Sequence, residues 1–441
     1  DYAAANKTFN TSLFGLTAVI LLMVPVILVV AYFAPSIFNV PAGQETGAVL
    51  LFLGVSAAFL IRSWSGSFTV QLFAYNRLDL QNWVNLTNLI VQTGLIVLLF
   101  TFFGPDLALI GGAHLAGAVV ASGISIVFAR RVCPYLQVAI RSFDRGRVKD
   151  LCGMGGWVAV DYIGGLLLFQ IGLIIVNLLF GATLAGEYAI ALQLGNVLQG
   201  VAGTLSGVLV PTILTFYALR KTESIITITQ SSVKFMGLAM ALPVGLICGF
   251  APQLLTIWVG DEYAYLAPLV VLLTAHLAVN TSVKPLFTIN VAHNRVRIPG
   301  LITILLGIIN LVLSIAIPLM TGWGYYGVAV AGVIVLTFRH ALFVPWYAAR
   351  VLKIQMITYF KSFVPGAVAM LFIAGTAAGI ATLSPLPSLS ALIIAGTVIT
   401  LAYGAIVLRF GLAPFEKQLF ELYLSQKLKR VHRIIGSDNK D

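Results

Sequence analysis

Ala74-Tyr75-Asn76-Arg77 returns 218 positions later as Ala292-His293-Asn294-Arg295, and each copy opens a basic connection ahead of a pair of apolar segments. The pairs also close alike, with Phe128-Ala129-Arg130-Arg131-Val132 matching Tyr347-Ala348-Ala349-Arg350-Val351 at an offset of 219. The same offset carries the apolar segment 233–251 onto 15–33 and 265–290 onto 47–72, so four consecutive segments register. An even number of segments separates the copies. The halves therefore share one orientation and form a parallel repeat about an axis along the membrane normal.

The second copy starts two segments earlier, at 156–180 and 185–217, and subtracting 218 puts their counterparts ahead of residue 1. The repeat thus leads us to expect about sixty further N-terminal residues that would carry two helices.

Working outward, 59% of the 441 residues are hydrophobic and only 9% are charged, so the solvent for most of this surface is lipid. A helix needs about 20 apolar residues to cross a hydrocarbon core of roughly 30 Å. Such stretches run near 14–33, 47–72, 83–103, 107–129, 156–180, 185–217, 233–251, 265–290, 299–319, 325–349, 361–383 and 388–408. None of the 26 Lys and Arg residues falls in the connections 34–46, 104–106, 181–184, 252–264, 320–324 or 384–387. The alternate connections carry Arg77, the run Arg130 to Lys149, Arg220 with Lys221, Arg295 with Arg297, and Arg350 with Lys353. Short basic loops stay on the cytoplasmic side, so both ends of this multi-pass protein are expected there. The net charge of +11 reads as topology and contact with anionic lipid heads, and nucleic acid is not an expected partner.

The expected fold is all-α and polytopic, with about twelve spans in two lobes. Residues 1–130 form an N-terminal lobe of four helices and 131–155 a basic linker. Residues 156–351 form a C-terminal lobe of six, 352–410 an additional helix pair, and 411–441 a basic amphipathic tail lying on the membrane. Small residues at four-residue spacing, Ala113, Gly117, Ala121 and Ser125, and also Gly203 with Gly207, are expected to let helices pack closely.

A charge at membrane depth is costly unless it meets a cavity or a partner, so the few present are the most informative side chains. Counting from the helix ends at about 1.5 Å per residue puts Arg62 and Arg339 some 20 Å deep, and Asp161 in a similar layer from the other side. Lys284, beside Pro285, sits nearer the basic end; for it and for Lys234, snorkelling to the interface competes with a binding role. Arg62 and Arg339 read either as structural ion pairs with Asp161 or as a cationic lining for an anionic group, phosphate above all. His340 follows Arg339 directly and must point about 100° away around the helix, so both cannot line the same narrow face, and a buried, hydrogen-bonded role is expected for it. Gln193, Asn196 and Gln199 form one amide stripe and Asn85, Asn88 and Gln92 another, suited to gluing helices together or to lining a sugar path.

No nucleotide-binding phosphate loop, hydrolase elbow, zinc-protease helix or paired CxxC occurs, so neither cofactor nor metal is expected. Outward connections reach only about thirteen residues, too short to house a catalytic domain, so an enzyme is not expected.

Three segments resemble the polysaccharide and O-antigen flippases of the multidrug, oligosaccharidyl-lipid and polysaccharide exporter superfamily. They are Gly186-Glu187-Tyr188-Ala189-Ile190-Ala191, Phe143-Asp144-Arg145-Gly146-Arg147, and the run from Gly307-Ile308-Ile309-Asn310 through Ile317-Pro318-Leu319 and Gly322 to Gly327-Val328-Ala329. The resemblance implies flipping of an undecaprenyl-pyrophosphate-linked oligosaccharide from the inner to the outer leaflet by alternating access of two lobes. It implies a cationic cavity, to which we assign Arg62, Arg339, Asp161, Lys284, Gln193 and Asn196 by depth and charge. Membrane lipids, and Na+ or H+ as a coupling ion, are the further expected partners. An ion-coupled multidrug or small-solute antiporter is the alternative, with Asp161 as its essential carboxylate, followed by a membrane enzyme that modifies glycans.

Overall fold

The computed structural model describes residues 2–75, 77–219, 222–383 and 388–411. These residues are helical almost throughout and contain no strand. Twelve helices among them are long and apolar enough to cross a membrane. They are α1 (Tyr2–Ile37), α2 (Glu45–Ala74), α3 (Leu78–Phe103), α4 (Leu107–Val132), α5 (Arg145–Phe169, resumed after Gln170 as Ile171–Phe180) and α6 (Ala182–Ala218). Then come α7 (Thr222–Gly249), α8 (Asp261–Ser282), α9 (Arg297–Thr321), α10 (Tyr325–Leu352), α11 (Ile357–Leu383) and α12 (Leu389–Gly411). The expected amphipathic tail 411–441 lies outside the described residues apart from Gly411.

Two compact units divide the chain: Asp1–Ala159 with Asn177–Ala182, and Val160–Val176 with everything from Thr183 onward. In the first unit, small residues bring backbones together. A Cβ on Gly54 would stand 2.5 Å from the carbonyl of Gly111, and Ala113, Gly117, Ala121 and Ser125 are all buried on α4. Hydroxyls sit across the same seam, with Ser65 to Ser122 at 2.9 Å and Thr69 to Ser125 at 2.8 Å. The amide stripe on α3 acts as glue here: Gln92 bonds His114 on α4 at 3.0 Å, and Asn88 is buried against Gly117. Gly203 and Gly207 do not behave as expected; both are exposed, and an added Cβ would meet nothing within 4 Å.

The segment after α4 is bound to α1 and does not hang free. Asn10, fully buried, donates to the carbonyl of Gln137 at 2.8 Å and accepts from the amide of Ala139 at 2.8 Å. Thr11 accepts from the Asp144 amide, and Arg147 reaches the carbonyl of Ala4 and the hydroxyl of Thr8. Asp144 in turn accepts from the Gly146 amide at 2.9 Å, which places a carboxylate at the positive end of the next helix. That helix begins at Arg145, eleven residues before the apolar stretch expected from 156.

In the second unit, α7 is wedged onto α11 through glycines spaced along one face. A Cβ on Gly366 would lie 2.5 Å from the backbone of Gly237, one on Gly245 would strike Ile373 at 2.8 Å, and one on Gly249 would strike Ala377 at 2.5 Å. Around this seam lie Met236, Met240, Val244, Leu277 and Met370, all buried. Inserting a methyl into so tight a seam should cost about 1–3 kcal/mol. Gly366→Ala is therefore expected to lower the thermal unfolding midpoint of the purified protein in detergent, while Gly375→Ala, where an added Cβ meets nothing within 4 Å, leaves it unchanged.

Candidate functional site

The second unit gathers its buried charges where α5, α9 and α10 meet. Gly164 on α5 lets the backbone of α9 approach, since an added Cβ would lie 2.7 Å from Ile304 N. One turn on, Gly307 takes Leu167 at 2.8 Å by the same measure. Asn310 completes the seam by donating to the carbonyls of Leu167 and Leu168, both at 3.2 Å. Those carbonyls belong to the last turn before α5 breaks at Gln170, where a helix has unsatisfied acceptors.

This close approach sets Asp161 against Thr303, whose hydroxyl donates to Asp161 Oδ1 at 2.5 Å. Arg339 on α10 closes the cluster. Its Nη2 donates to Asp161 Oδ1 at 3.1 Å and to Thr303 Oγ1 at 2.9 Å, and its Nε to Thr303 Oγ1 at 3.2 Å. Only 12% and 18% of the two charged side chains is exposed, so this ion pair is largely removed from solvent.

Arg339 lies in a π-helical turn, Phe338–Phe343, inserted into α10. Such turns are uncommon and concentrate at functional positions. His340 Nε2 is 3.2 Å from Arg339 Nη1, and of the two only Arg339 lines the cleft described below. His340 is buried and hydrogen-bonded, as its sequence position suggested, with Nδ1 2.8 Å from the carbonyl of Leu336. A carbonyl can only accept and a guanidinium can only donate. Nδ1 therefore carries the proton, Nε2 is bare, and the imidazole is neutral.

Beside the cluster is a cleft of about 330 Å³ lined by Asp161, Arg339, Phe169, Gln170, Asn196 and Gln199 among others. Asn196 and Gln199 belong to the amide stripe of α6; Gln193, from the same stripe, is exposed and is not part of this wall. Lys284 sits in the turn after α8 and donates from Nζ to the carbonyl of Gln199 at 3.1 Å. No carboxylate pairs with it among the described residues, and Lys284 itself is not part of the cleft wall. A second space of about 50 Å³ in the same unit is lined by Tyr188, Asn196, His276, Asn310 and Ser314 among others. The Asn310 Oδ1 and Ser314 Oγ atoms are buried without a partner among the described residues.

Arg62 belongs to the first unit, on α2. It is exposed, and its Nη2 meets Asn85 Oδ1 on α3 at 3.5 Å, with no carboxylate partner among the described residues. Of the six candidate residues, then, the second unit joins Asp161 to Arg339 and sets Asn196 and Lys284 nearby. Thr303 was missed, because an isolated Thr in an apolar run carries no periodic signal; its position one turn before Gly307 was the available clue.

The architecture defines the class: a polytopic α-helical membrane protein with ionised groups packed at the depth of its spans. Residues 2–216 match the family described as "Polysaccharide biosynthesis protein". The "Uncharacterized membrane protein EpsK" of Bacillus subtilis (strain 168) is 29% identical over 409 residues, covering 93% of this chain and 80% of that protein. Among solved structures, "Lipid II flippase MurJ, inward closed conformation" superposes with a TM-score of 0.59 at 15% identity, over 92% of this chain and 84% of that one. The first of these likenesses agrees with the resemblance to polysaccharide-biosynthesis membrane proteins, and the last shows a shared fold alone.

Removing one partner of a buried ion pair leaves an uncompensated charge and costs about 3–5 kcal/mol, whereas replacing both with apolar groups is nearly neutral. Arg339→Met alone is thus expected to lower the unfolding midpoint sharply, and Asp161→Leu added to it to restore much of the loss. A double-mutant cycle on purified protein checks this; strictly additive losses would show that the pair does not interact.

Proposed function

We propose that this protein is a transporter, not an enzyme, and that it flips an oligosaccharide linked through pyrophosphate to a polyprenyl carrier, in the direction from the cytoplasmic to the outer leaflet. What supports the reading most is that the second unit sets an amide-lined cleft against the Asp161–Arg339 pair and holds Lys284, bonded to the Gln199 carbonyl, with no carboxylate partner among the described residues. An uncompensated positive charge at membrane depth is costly, and an arriving pyrophosphate offsets that cost. Lys284 has no carboxylate partner among the described residues, so in the second unit it is the group we assign to the anion; Arg62, in the first unit, is assigned to the substrate by depth and charge. Arg339 spends most of its donors on Asp161, Thr303 and His340, and its part is to hold α5, α9 and α10 in one arrangement. Asn196 and Gln199 offer amide donors and acceptors of the kind a sugar chain needs.

The transport cycle follows from the parallel repeat. Two like-oriented halves that rock against each other expose a substrate path first to one leaflet and then to the other. Basic connections on one side set the orientation, with both ends in the cytoplasm of a cell bounded by this inner membrane. A second reading, ion-coupled antiport of a smaller solute, is favoured by Asp161, a shielded carboxylate able to take up H+ or to attract Na+.

Export of the glycan in cells decides between them. Arg62→Ala and Lys284→Ala are each expected to abolish export while the protein still inserts at normal levels, and Arg339→Ala to abolish it through loss of the cluster. Normal export by Arg62→Ala and Lys284→Ala would overturn the assignment. Asp161→Asn is expected to impair export through loss of the cluster; an ion flux driven by a small solute, lost in Asp161→Asn, would instead establish antiport.

A further inference from the structure

Asp161 and Arg339 are the charged side chains in the wall of the 330 Å³ cleft, and they are paired with each other. The rest of that wall is neutral. Tyr162, Gly165 and Phe169, at positions i, i+3 and i+7 of α5, line it, and Gln170, Asn196 and Gln199 complete it. Tyr162 is 74% exposed, although it follows the largely buried Asp161 directly. A Cβ on Gly165 would meet nothing within 4 Å, so room is left on the face of α5 that carries the ring.

Two ordinary roles fail for these groups. The first is an interfacial aromatic belt, which places its rings at the helix end. On α5 the apolar stretch begins near 156 and Trp157 stands at that end, whereas Tyr162 lies about 9 Å and Gln170 about 21 Å further in. The second is glue between helices. On α3 the amides do serve as glue, since Gln92 bonds His114 and Asn88 is buried. On α6 they do not. Lys284 takes the main-chain carbonyl of Gln199, and among the described residues the side chains of Gln170, Asn196 and Gln199 and the hydroxyl of Tyr162 have no hydrogen-bond partner. Four unpaired polar groups are costly in hydrocarbon, so the space they line holds a polar occupant.

An aromatic face set among amides, with no cation to spare, complements a sugar ring. A pyranose presents C–H bonds on one face, which pack on the negative face of a phenol ring. Its hydroxyls both donate and accept, as side-chain amides do. A phosphate would find no available cation in this wall, because the donors of Arg339 are taken by Asp161, Thr303 and His340. The volume is in the range of small-ligand sites.

We propose that Tyr162 is the stacking platform of a sugar subsite, which takes one neutral pyranose unit of the glycan with Gln170, Asn196 and Gln199 around its hydroxyls. The proposal rests on the flippase reading and adds to it the residue that carries the sugar's apolar face.

Saturation-transfer NMR on the full chain in detergent tests the contact, with the methyl glycosides of glucose, galactose and N-acetylglucosamine as probes, and glycan export in cells tests its use. The native protein is expected to transfer saturation to the ring C–H protons of at least one probe. Tyr162→Leu keeps apolar bulk and removes the aromatic face; it should weaken that signal several-fold, up to about tenfold, and lower export with it. Tyr162→Phe should retain both. Neither variant should move the unfolding midpoint, since the side chain is exposed. No transfer to any of the three probes, equal transfer to native protein and Tyr162→Leu, or an equal loss in Tyr162→Phe, would overturn the proposal. Export separates it from the reading beneath it. Normal export by Tyr162→Leu beside lost export in Lys284→Ala would end the sugar subsite and leave the flippase, whereas a sugar signal that depends on Tyr162 with export unchanged in every variant would leave the subsite and end the flippase.

Discussion

Hydrocarbon offers no hydrogen-bond partner, and every other feature of this chain answers to that fact. A backbone carbonyl or amide left open in the membrane interior costs several kcal/mol, so each crossing must be a helix that satisfies its own groups. Where a helix is interrupted, something has to replace the missing partner. At Gln170, α5 breaks, and the side-chain amide of Asn310 covers the carbonyls of Leu167 and Leu168. Asn310 is an interior polar residue whose position is set by a break in a neighbouring helix.

The same solvent removes the usual force that drives helices together, because a lipid tail is as apolar as a leucine. Association then rests on close backbone contact and on hydrogen bonds across the seam. Gly54 on Gly111 and Gly366 on Gly237 show the first, and the hydroxyl pairs between α2 and α4 show the second. Both demand small residues at positions fixed by geometry. That is why a search for glycine spacing alone succeeds on α4 and fails at Gly203 and Gly207. Spacing says that a face is smooth. It does not say that another helix lies on it.

What was legible in the sequence follows this division. The twelve spans were readable, since length and apolar content are set by the bilayer and need no knowledge of neighbours. The start of α5 was not: the helix extends back to Arg145 through polar residues, because Asp144 caps it and α1 holds the preceding segment by hydrogen bonds. Asp161 and Arg339 were readable as unusual by depth and charge, and an ion pair between them was one of two readings. Thr303, which bridges them, and the π-helical turn that carries Arg339 were not readable, since both depend on contacts between distant segments.

That turn bears on how the cluster can work. With the extra residue in the turn, a neutral imidazole accepts from Nη1 while Asp161 and Thr303 accept from Nη2 and Nε. The guanidinium is thereby committed to protein partners on three sides, whereas Lys284 bonds the Gln199 carbonyl and no carboxylate among the described residues. The proposed cycle divides its tasks accordingly: holding three helices in register needs a donor that never leaves its partners, which is the part assigned to Arg339, and releasing an anion needs one that does, which is the part assigned to Lys284.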